Sequence, residues 1–287
     1  MIIGFSAEAC LGEALFSQDL RVGLQDKYKN ANFFEIKNER FNIGYEKSGE
    51  YTTICELPPA SHIYRVTPNY GYYIVFNGIF SSFNQALDSS LNSSNTFCAF
   101  DGSWRIYMGN AAGRSFSSAS DAKDFAGTGG FDSSAYVIKE SSGVMFSLQS
   151  IFLVLIDSGF TPQVSGVGVP VNLGEKSYRG RVEILRSSAG FLSLVNIISM
   201  DEYLYGVVPS EMPATWPAEA LKAQAVAARS YAISSMKKHG KDNYDLCDMI
   251  HCQLYLGYNQ EKEASNLAVK ETTGVFAYYD NEPINAV

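Results

Sequence analysis

The sequence predicts an α+β fold with a strand-rich core, one long alanine-rich helix and a small inserted strand-helix repeat. Three patterns support this prediction. Residues 20 to 58 alternate apolar and polar side chains with a period of two, which is typical of half-buried strands. Residues 217 to 238 carry alanine and leucine at helical spacing, and residues 62 to 130 contain the same short strand-helix pattern twice.

The strands are expected in several stretches. Those of residues 20 to 58 are joined by turns that contain Asn and Gly, and residues 131 to 160 return to strands. The run Ile151–Ile156 is apolar throughout and indicates a buried strand. Residues 178–186 and 191–199 are expected to pair as a hairpin across Ser187-Ser188-Ala189-Gly190. This hairpin leads into Asp201, which we expect to cap or begin a helix.

The internal repeat is Phe80-Ser81-Ser82-x-x-x-Ala86, which returns as Phe116-Ser117-Ser118-x-x-x-Ala122 after 36 residues. Each copy follows an aromatic-rich strand, so each predicts a strand, a turn and a helix capped by Ser. The segment resembles a SPOR domain, and this resemblance implies binding of glycan strands stripped of peptides. The alternative is that the repeat is only a βαβ scaffold.

The long helix is expected from about Pro217 to Lys238. Pro217 suits a first helical position because its missing N–H is not needed there, and Gly240 is a suitable stop. A stripe of small and apolar residues repeats along the helix and should face the core. Its members are Leu221, Ala225, Ala228 and Ala232.

Glu211 is the candidate acid. It sits in a short predicted connection among Val207, Val208, Pro209, Met212, Pro213 and Trp216. Apolar surroundings disfavour the charged form of a carboxyl group and so keep it available as a general acid near neutral pH. The alternative is an ordinary solvated charge at a helix start.

Lys222 and Arg229 are seven residues apart and therefore lie on one face of the predicted helix, beside the apolar stripe. Two cations that border a buried face next to a candidate acid suggest contacts with anionic groups of a substrate, or a role in orienting Glu211. We expect Ala at either position to weaken turnover and to leave thermal stability nearly unchanged. The alternative is that both are surface charges whose stems cover apolar side chains.

Past the helix, Cys247-x-x-x-His251-Cys252 brings three metal-binding side chains within six residues, and His239 is a candidate fourth ligand. Thiolates and imidazoles suit zinc. The spacing differs from standard zinc ribbons, so a disulfide across the short loop and two buried free thiols stay open as alternatives.

Two stretches together carry a family resemblance. The first runs from Glu211-Met212-Pro213 through Trp216-Pro217 and the helix, and the second is Asp245-Leu246-Cys247-x-x-x-His251-Cys252-Gln253-x-Tyr255-x-Gly257. They resemble the SpoIID/LytB family. The resemblance covers roughly residues 165 to 287. It implies a domain arrangement of an N-terminal strand segment at 1–61, the SPOR-like insertion at 62–130 and a catalytic region at 131–287. Family members continue past a point equivalent to Val287 into a segment that helps line the active site, so we expect the region to be truncated here.

The resemblance implies lytic cleavage of peptidoglycan glycan strands, with Glu211 as catalytic acid and base. It maps the substrate-binding positions onto Lys222, Arg229, Gln253 and Tyr255. Some members bind zinc through a cluster that maps onto Cys247, His251 and Cys252, to which His239 is our candidate fourth ligand. It also implies an extracytoplasmic location in the cell wall or spore envelope. The rival is a non-catalytic wall-binding module or amidase enhancer, with a cell-wall amidase as partner, because the family name also covers modifiers of an amidase.

The composition argues against several classes of protein. The chain has 287 residues, 46% hydrophobic, with 18% charged residues and a net charge of −8, which argues against nucleic acid as a partner. No apolar run approaches the length of a membrane span, and Glu8 and Glu13 interrupt the pattern of a signal peptide. Five scattered cysteines argue against a disulfide framework and leave the redox compartment open.

Overall fold

The computed structural model describes residues 19–57, 63–91, 93, 95–110, 113–149, 151–280 and 282–286. The predicted α+β class is confirmed, with a strand-rich core and a long alanine-rich helix. The chain folds into two compact units that are interleaved along the sequence. The first comprises the described parts of Met1–Lys29, Gly168–Val182 and Leu194–Val287, and the second comprises those of Asn30–Val167 and Glu183–Ser193. The predicted division at residues 61 and 130 concerns family domains and stays a prediction.

The first unit contains most of the helices. Its helices are α1 (Gln25–Tyr28), α4 (Met200–Glu211), α5 (Ala218–Ser234) and α6 (Glu263–Glu271). Its strands are β1 (Leu20–Gly23), β11 (Val171–Asn172), β12 (Ser177–Tyr178), β15 (Leu246–Cys247), β16 (Tyr278–Tyr279) and β17 (Glu282–Pro283). The predicted hairpin is confirmed as the neighbouring strands β13 (Arg181–Arg186) and β14 (Leu192–Ile198), of which Glu183–Ser193 are assigned to the second unit. Strand β1 lies antiparallel to β14 and parallel to β15, with Val22 opposite Leu246.

The long helix differs from its prediction at both ends. Pro217 occupies the N-cap position of α5 and not its first turn, and the helix ends at Ser234, four residues before Lys238. Lys237 has a left-handed backbone (φ 65°), and its N–H donates to the carboxylate of Asp245. This bond draws the chain out of the helical path and into the loop that leads to Cys247. Ser199 occupies the N-cap position of helix α4 without a side-chain capping bond, so Asp201 lies in the first turn and is not the cap.

The second unit holds the inserted repeat. Its helices are α2 (Phe83–Ser90) and α3 (Ala119–Thr128). Its strands are β2 (Phe34–Ile36), β3 (Phe41–Lys47), β4 (Glu50–Leu57), β5 (Tyr64–Phe76), β6 (Thr96–Phe100), β7 (Trp104–Met108), β8 (Tyr136–Leu148), β9 (Ile151–Asp157) and β10 (Pro162–Gly166). The buried strand expected at Ile151–Ile156 is therefore confirmed as β9.

The two copies of the repeat form as predicted. Ser82 caps α2 by accepting from the N–H of Gln85, and Ser118 caps α3 by accepting from the N–H of Asp121. Both repeat alanines are fully buried. The order β5-α2-β6-β7-α3-β8 with the sheet order β8-β5-β7-β6 is the split βαβ arrangement.

Strand β9 adds a feature that the repeat does not predict. It pairs with β6 in parallel and with β8 antiparallel, so β5, β7, β6, β9 and β8 close a ring. Apolar side chains from every strand of this ring form one cluster: Tyr73, Val75, Phe97, Ala99, Tyr107, Met145 and Leu155. None of the helices in the described part of the chain is long and apolar enough to cross a membrane.

We expect Ser118→Ala to lower the free energy of unfolding of the second unit by about 1 kcal/mol, because it removes the side-chain cap of α3. Urea unfolding in a Trp216→Phe background, where the fluorescence comes from Trp104 buried in β7, measures this change. Ser133→Ala, at an exposed turn position, is the matched control and should change nothing. Equal effects of the two substitutions would contradict the capping role.

Candidate active site and metal cluster

Glu211 is the last residue of α4 and its side chain is exposed. The prediction of a desolvated carboxyl group in a short connection is therefore wrong. The apolar residues that precede it, including Val207 and Val208, point into the core and are fully buried, while the helix end faces solvent. A periodic helix separates side chains that are adjacent in sequence, which is why the neighbours of Glu211 do not cover it.

One contact orients the Glu211 carboxylate. Its Oε1 accepts a hydrogen bond from the backbone N–H of Leu254 at 2.8 Å. Leu254 follows Cys252 and Gln253 in the loop between β15 and α6, 43 residues further along the chain. No sequence motif indicates this bond, because a backbone amide is present at almost every position and only the fold selects one.

Gln253 lies behind this contact. Its side chain is buried, its Nε2 donates to the carbonyl oxygen of Ala228 in α5 (3.3 Å), and its Oε1 accepts from the hydroxyl of Tyr203 in α4 (3.3 Å). Both polar ends of the side chain are thus used by the two helices. The role of Gln253 in substrate binding stays a prediction, and the observed role is to fix the loop against α4 and α5.

Tyr255 is also buried. Its hydroxyl donates to Oδ1 of Asn196 at 2.8 Å, and its ring packs against that of Tyr203 with centroids 5.1 Å apart. Gly206 makes this packing feasible, because a Cβ at that position would lie 2.6 Å from the Tyr255 ring. Burial raises the pKa of Tyr255 well above its usual range, so its hydroxyl stays protonated as a donor. Its role in substrate binding stays a prediction. In this structure it anchors the loop through its contacts with Asn196 and Tyr203.

Arg229 has no exposed surface. Its Nη2 lies 3.0 Å from Oδ1 of Asp201 and 3.3 Å from the carbonyl oxygen of Val269, and its Nη1 lies 2.9 Å from the carbonyl oxygen of Val275. The expectation that this residue can be replaced without loss of stability is wrong, because a buried guanidinium with protein acceptors is part of the core.

Lys222 lies on the same helix but is about one third exposed. Its Nζ contacts carboxylates of Glu219 in its own helix (2.9 Å) and Glu271 in α6 (2.8 Å). The side-chain hydrogen bonds to these carboxylates raise the pKa of Lys222 to about 12, so it is a fixed positive charge. The pair predicted to share one helix face therefore consists of one surface cation and one core cation.

The four predicted metal ligands converge. Their ligand atoms all lie within 4.8 Å of one another in the group His239, Cys247, His251 and Cys252. Cys252 Sγ lies 3.3 Å from His239 Nε2, and His251 Nδ1 lies 3.7 Å from the sulfur of each cysteine. Ligand atoms of a tetrahedral zinc site are roughly 3.3 to 3.8 Å apart, so these separations fit one ion. Both cysteines are free thiols, so the alternative of a disulfide is not formed.

The protonation of the cluster agrees with metal binding. Burial, the larger cause, and the nearby His251 lower the pKa of His239, which favours the neutral imidazole that binds metals. Burial raises the pKa of Cys247 to about 11, so a metal ion would have to displace its proton on binding. The group can therefore hold a metal ion, with metal affinity that rises with pH.

Two buried carboxylates that sequence reasoning missed hold the cluster loop. Asp245 accepts from the backbone N–H of Arg21 at 3.0 Å, and Asp248 accepts from that of Gln25 at 2.8 Å. The signal was present as Asp-x-x-Asp around Cys247, although charged residues in loops are usually solvated. These bonds fix Cys247 beside β1.

We expect Arg229→Ala to lower the free energy of unfolding by about 3 kcal/mol or more, because it leaves Asp201 without its buried partner and vacates space in the core. Thermal unfolding of both variants tests this, with Lys222→Ala as the control on the same helix. Its pair contacts are exposed, so its melting temperature should stay near that of the wild type. Similar melting temperatures for the two variants would contradict the structural role of Arg229.

The part of the chain that contains the candidate site is similar to known proteins. Residues 188–279 match the profile of the SpoIID family, described as stage II sporulation protein. An amidase enhancer of Bacillus subtilis is 42% identical over 83 residues, covering 29% of this chain and 11% of that protein. Stage II sporulation protein D of B. subtilis is 34% identical over 107 residues, covering 32% of this chain and 31% of that protein.

An uncharacterised protein of Brachyspira hyodysenteriae is 29% identical over 162 residues, covering 52% of this chain and 44% of that protein. The chain spans less than half the length of each of these relatives. The family match contains Glu211, both cations of α5 and all four members of the metal cluster. Over residues 188–279, the chain is therefore similar to the SpoIID family.

Proposed function

We propose that this chain is a peptidoglycan lytic transglycosylase in which Glu211 acts as both acid and base. The observation that carries the proposal is an exposed carboxylate at the end of a rigid helix, held by a backbone amide, inside the region that matches the SpoIID family. The names of the relatives, a sporulation protein and an amidase enhancer, fit a function related to the cell wall. The protein would accordingly act outside the cytoplasm, on peptidoglycan glycan strands.

The proposed reaction needs only one carboxyl group. Glu211 protonates the departing glycosidic oxygen, and as a carboxylate it then removes the proton of the muramoyl C6 hydroxyl, whose oxygen closes a 1,6-anhydro ring at C1. Hydrolysis would require a second carboxylate to activate water or to act as nucleophile. Because the nucleophile belongs to the substrate, Glu211 returns to its starting protonation state after each cleavage.

The charged residues near the site take different parts in this proposal. Lys222 is partly exposed and is the cation of α5 that a glycan carboxylate can reach. Arg229, Gln253 and Tyr255 are buried and hold α4, α5 and the cluster loop in place. The inserted repeat would add glycan binding in the second unit, on its resemblance to a SPOR domain.

Zinc is the metal that this donor set fits best, held by His239, Cys247, His251 and Cys252. When bound, it would supply structural cross-linking of the loop and not Lewis-acid chemistry, since four protein ligands fill a tetrahedral site. The loop would then present the Leu254 amide to Glu211 in a fixed position.

The second candidate is an amidase enhancer that does not itself cleave glycan. The relative with that name supports it, although the match covers only 11% of that protein. The two candidates differ in whether glycan ends change when no amidase is present. Mass spectrometry of purified glycan strands incubated with the chain alone decides between them, because only the transglycosylase creates anhydro-muramoyl ends.

Glu211→Gln should reduce the formation of anhydro ends by at least about 100-fold, equivalent to about 2.7 kcal/mol of transition-state stabilisation, because the amide cannot transfer the proton. Thermal unfolding should be little changed, since the side chain is exposed. Glu263→Gln, at an exposed position in the first turn of α6, is the control and should keep full activity. Product formation within a few-fold of wild type in Glu211→Gln would assign the chemistry to another group.

Protein purified without added metal should contain about one zinc per chain by elemental analysis. Cys247→Ser should lower this value, whereas Cys98→Ser should not, because Cys98 is a buried thiol of the second unit and lies outside the cluster. Removal of zinc by a chelator should lower the melting temperature together with activity, as expected for a structural ion. A zinc content near zero that Cys247→Ser leaves unchanged would contradict the proposed zinc site.

A further inference from the structure

Three consecutive residues connect the metal cluster to the candidate acid. Cys252 contributes its sulfur to the cluster, Gln253 bonds to α4 and α5, and the N–H of Leu254 donates to Glu211. We propose that this segment, Cys252–Leu254, positions Glu211 so that Oε1 is held by the amide and Oε2 is the oxygen that carries the proton. This inference rests on the proposed function of Glu211 as acid and base.

Both ends of the Leu254–Glu211 bond are attached to the same framework. Glu211 ends α4, and Gln253, next to Leu254, bonds to Tyr203 in that helix and to Ala228 in α5. The loop is further closed by the bond from Cys252 N–H to the Met249 carbonyl (2.9 Å). The donor and the acceptor are therefore held by rigid elements, which is what a catalytic carboxyl group needs to keep one orientation.

The amide distinguishes the two oxygens of Glu211. A backbone N–H can only donate, and the carbonyl oxygen of a protonated carboxyl group is a better acceptor than its hydroxyl oxygen. Oε1 is therefore the carbonyl oxygen when Glu211 is protonated, and the proton resides on Oε2. Among the hydrogen bonds of the described residues, none involves Oε2, so this oxygen is available to a substrate.

In this proposal, both proton transfers take place at Oε2 of Glu211. Oε2 gives its proton to the glycosidic oxygen as the bond from C1 to that oxygen breaks. Oε2 next accepts the proton of the C6 hydroxyl as the bond from O6 to C1 forms. No electron donor, acceptor or water is consumed, and Leu254 N–H stays bonded to Oε1 throughout.

The bond is tested by replacing the amide with an ester. Incorporation of the α-hydroxy analogue of leucine at position 254 removes the N–H and keeps the side chain. We expect kcat for anhydro-end formation to fall at least about tenfold while KM changes less than about threefold, because orientation and not binding is lost. The matched control is the same exchange at Asn243, whose N–H donates to the Gly240 carbonyl at 3.3 Å in the connection between α5 and β15. It removes an equivalent bond that does not reach Glu211, and kcat should stay within about twofold.

Hydrogen exchange provides a reading that does not depend on activity. The Leu254 amide of the zinc-loaded protein should be protected, and its exchange should become at least about tenfold faster in Glu211→Ala and after removal of zinc by a chelator. Equal exchange in wild type and Glu211→Ala, or equal kcat for the ester at 254 and the wild type, would overturn the positioning role. Wild type that forms no anhydro ends while the amide depends on Glu211 would instead reject the proposed reaction and leave the geometry intact.

Discussion

The buried guanidinium of Arg229 is the interaction on which the architecture of the site depends. It joins α5, which carries it, to Asp201 in the first turn of α4 and to the carbonyl oxygen of Val269 in α6. A charge that is completely removed from water needs acceptors, and both Nη atoms of Arg229 have them, so these partners cannot move apart without a large cost. Asp201 is shared further, because its other oxygen accepts from Thr273 at 2.6 Å. This network holds α4, α5 and α6 together. It therefore also fixes the position of Glu211, which is the last residue of α4.

The loop after α5 uses a second set of buried polar groups for a similar purpose. Asp245 and Asp248 accept backbone N–H groups from the β1 region, and Gln253 bonds to two helices. Between these anchors lie the cysteines and His251 of the metal cluster. A short loop gathers its own ligands with little loss of chain entropy, so the loop is defined by hydrogen bonds on both sides and by a metal-binding group between them. Such a loop can present one particular amide to a carboxylate with high precision.

Much of the fold could be predicted from the sequence because its signals are local. Ser82 and Ser118 cap helices through bonds to residues three positions later, and the turn residues Ser187-Ser188-Ala189-Gly190 indicate the hairpin before α4. The same reasoning failed for Glu211 and Arg229, where burial depends on elements distant in the chain. Helical spacing places Lys222 and Arg229 on one face, but the approach of α6 leaves one partly exposed and encloses the other.

The sequence by itself determined the residue types of the site: one acid before an alanine-rich helix, and four thiol and imidazole ligands within a short stretch that needs little help to come together. Only the tertiary structure decided which backbone amide meets Glu211, which cation is core and which is surface, and that β9 closes a ring with the inserted repeat. The physical reason is that side-chain chemistry and local spacing are encoded residue by residue. Burial and the choice of a hydrogen-bond partner arise only when segments many residues apart pack against each other.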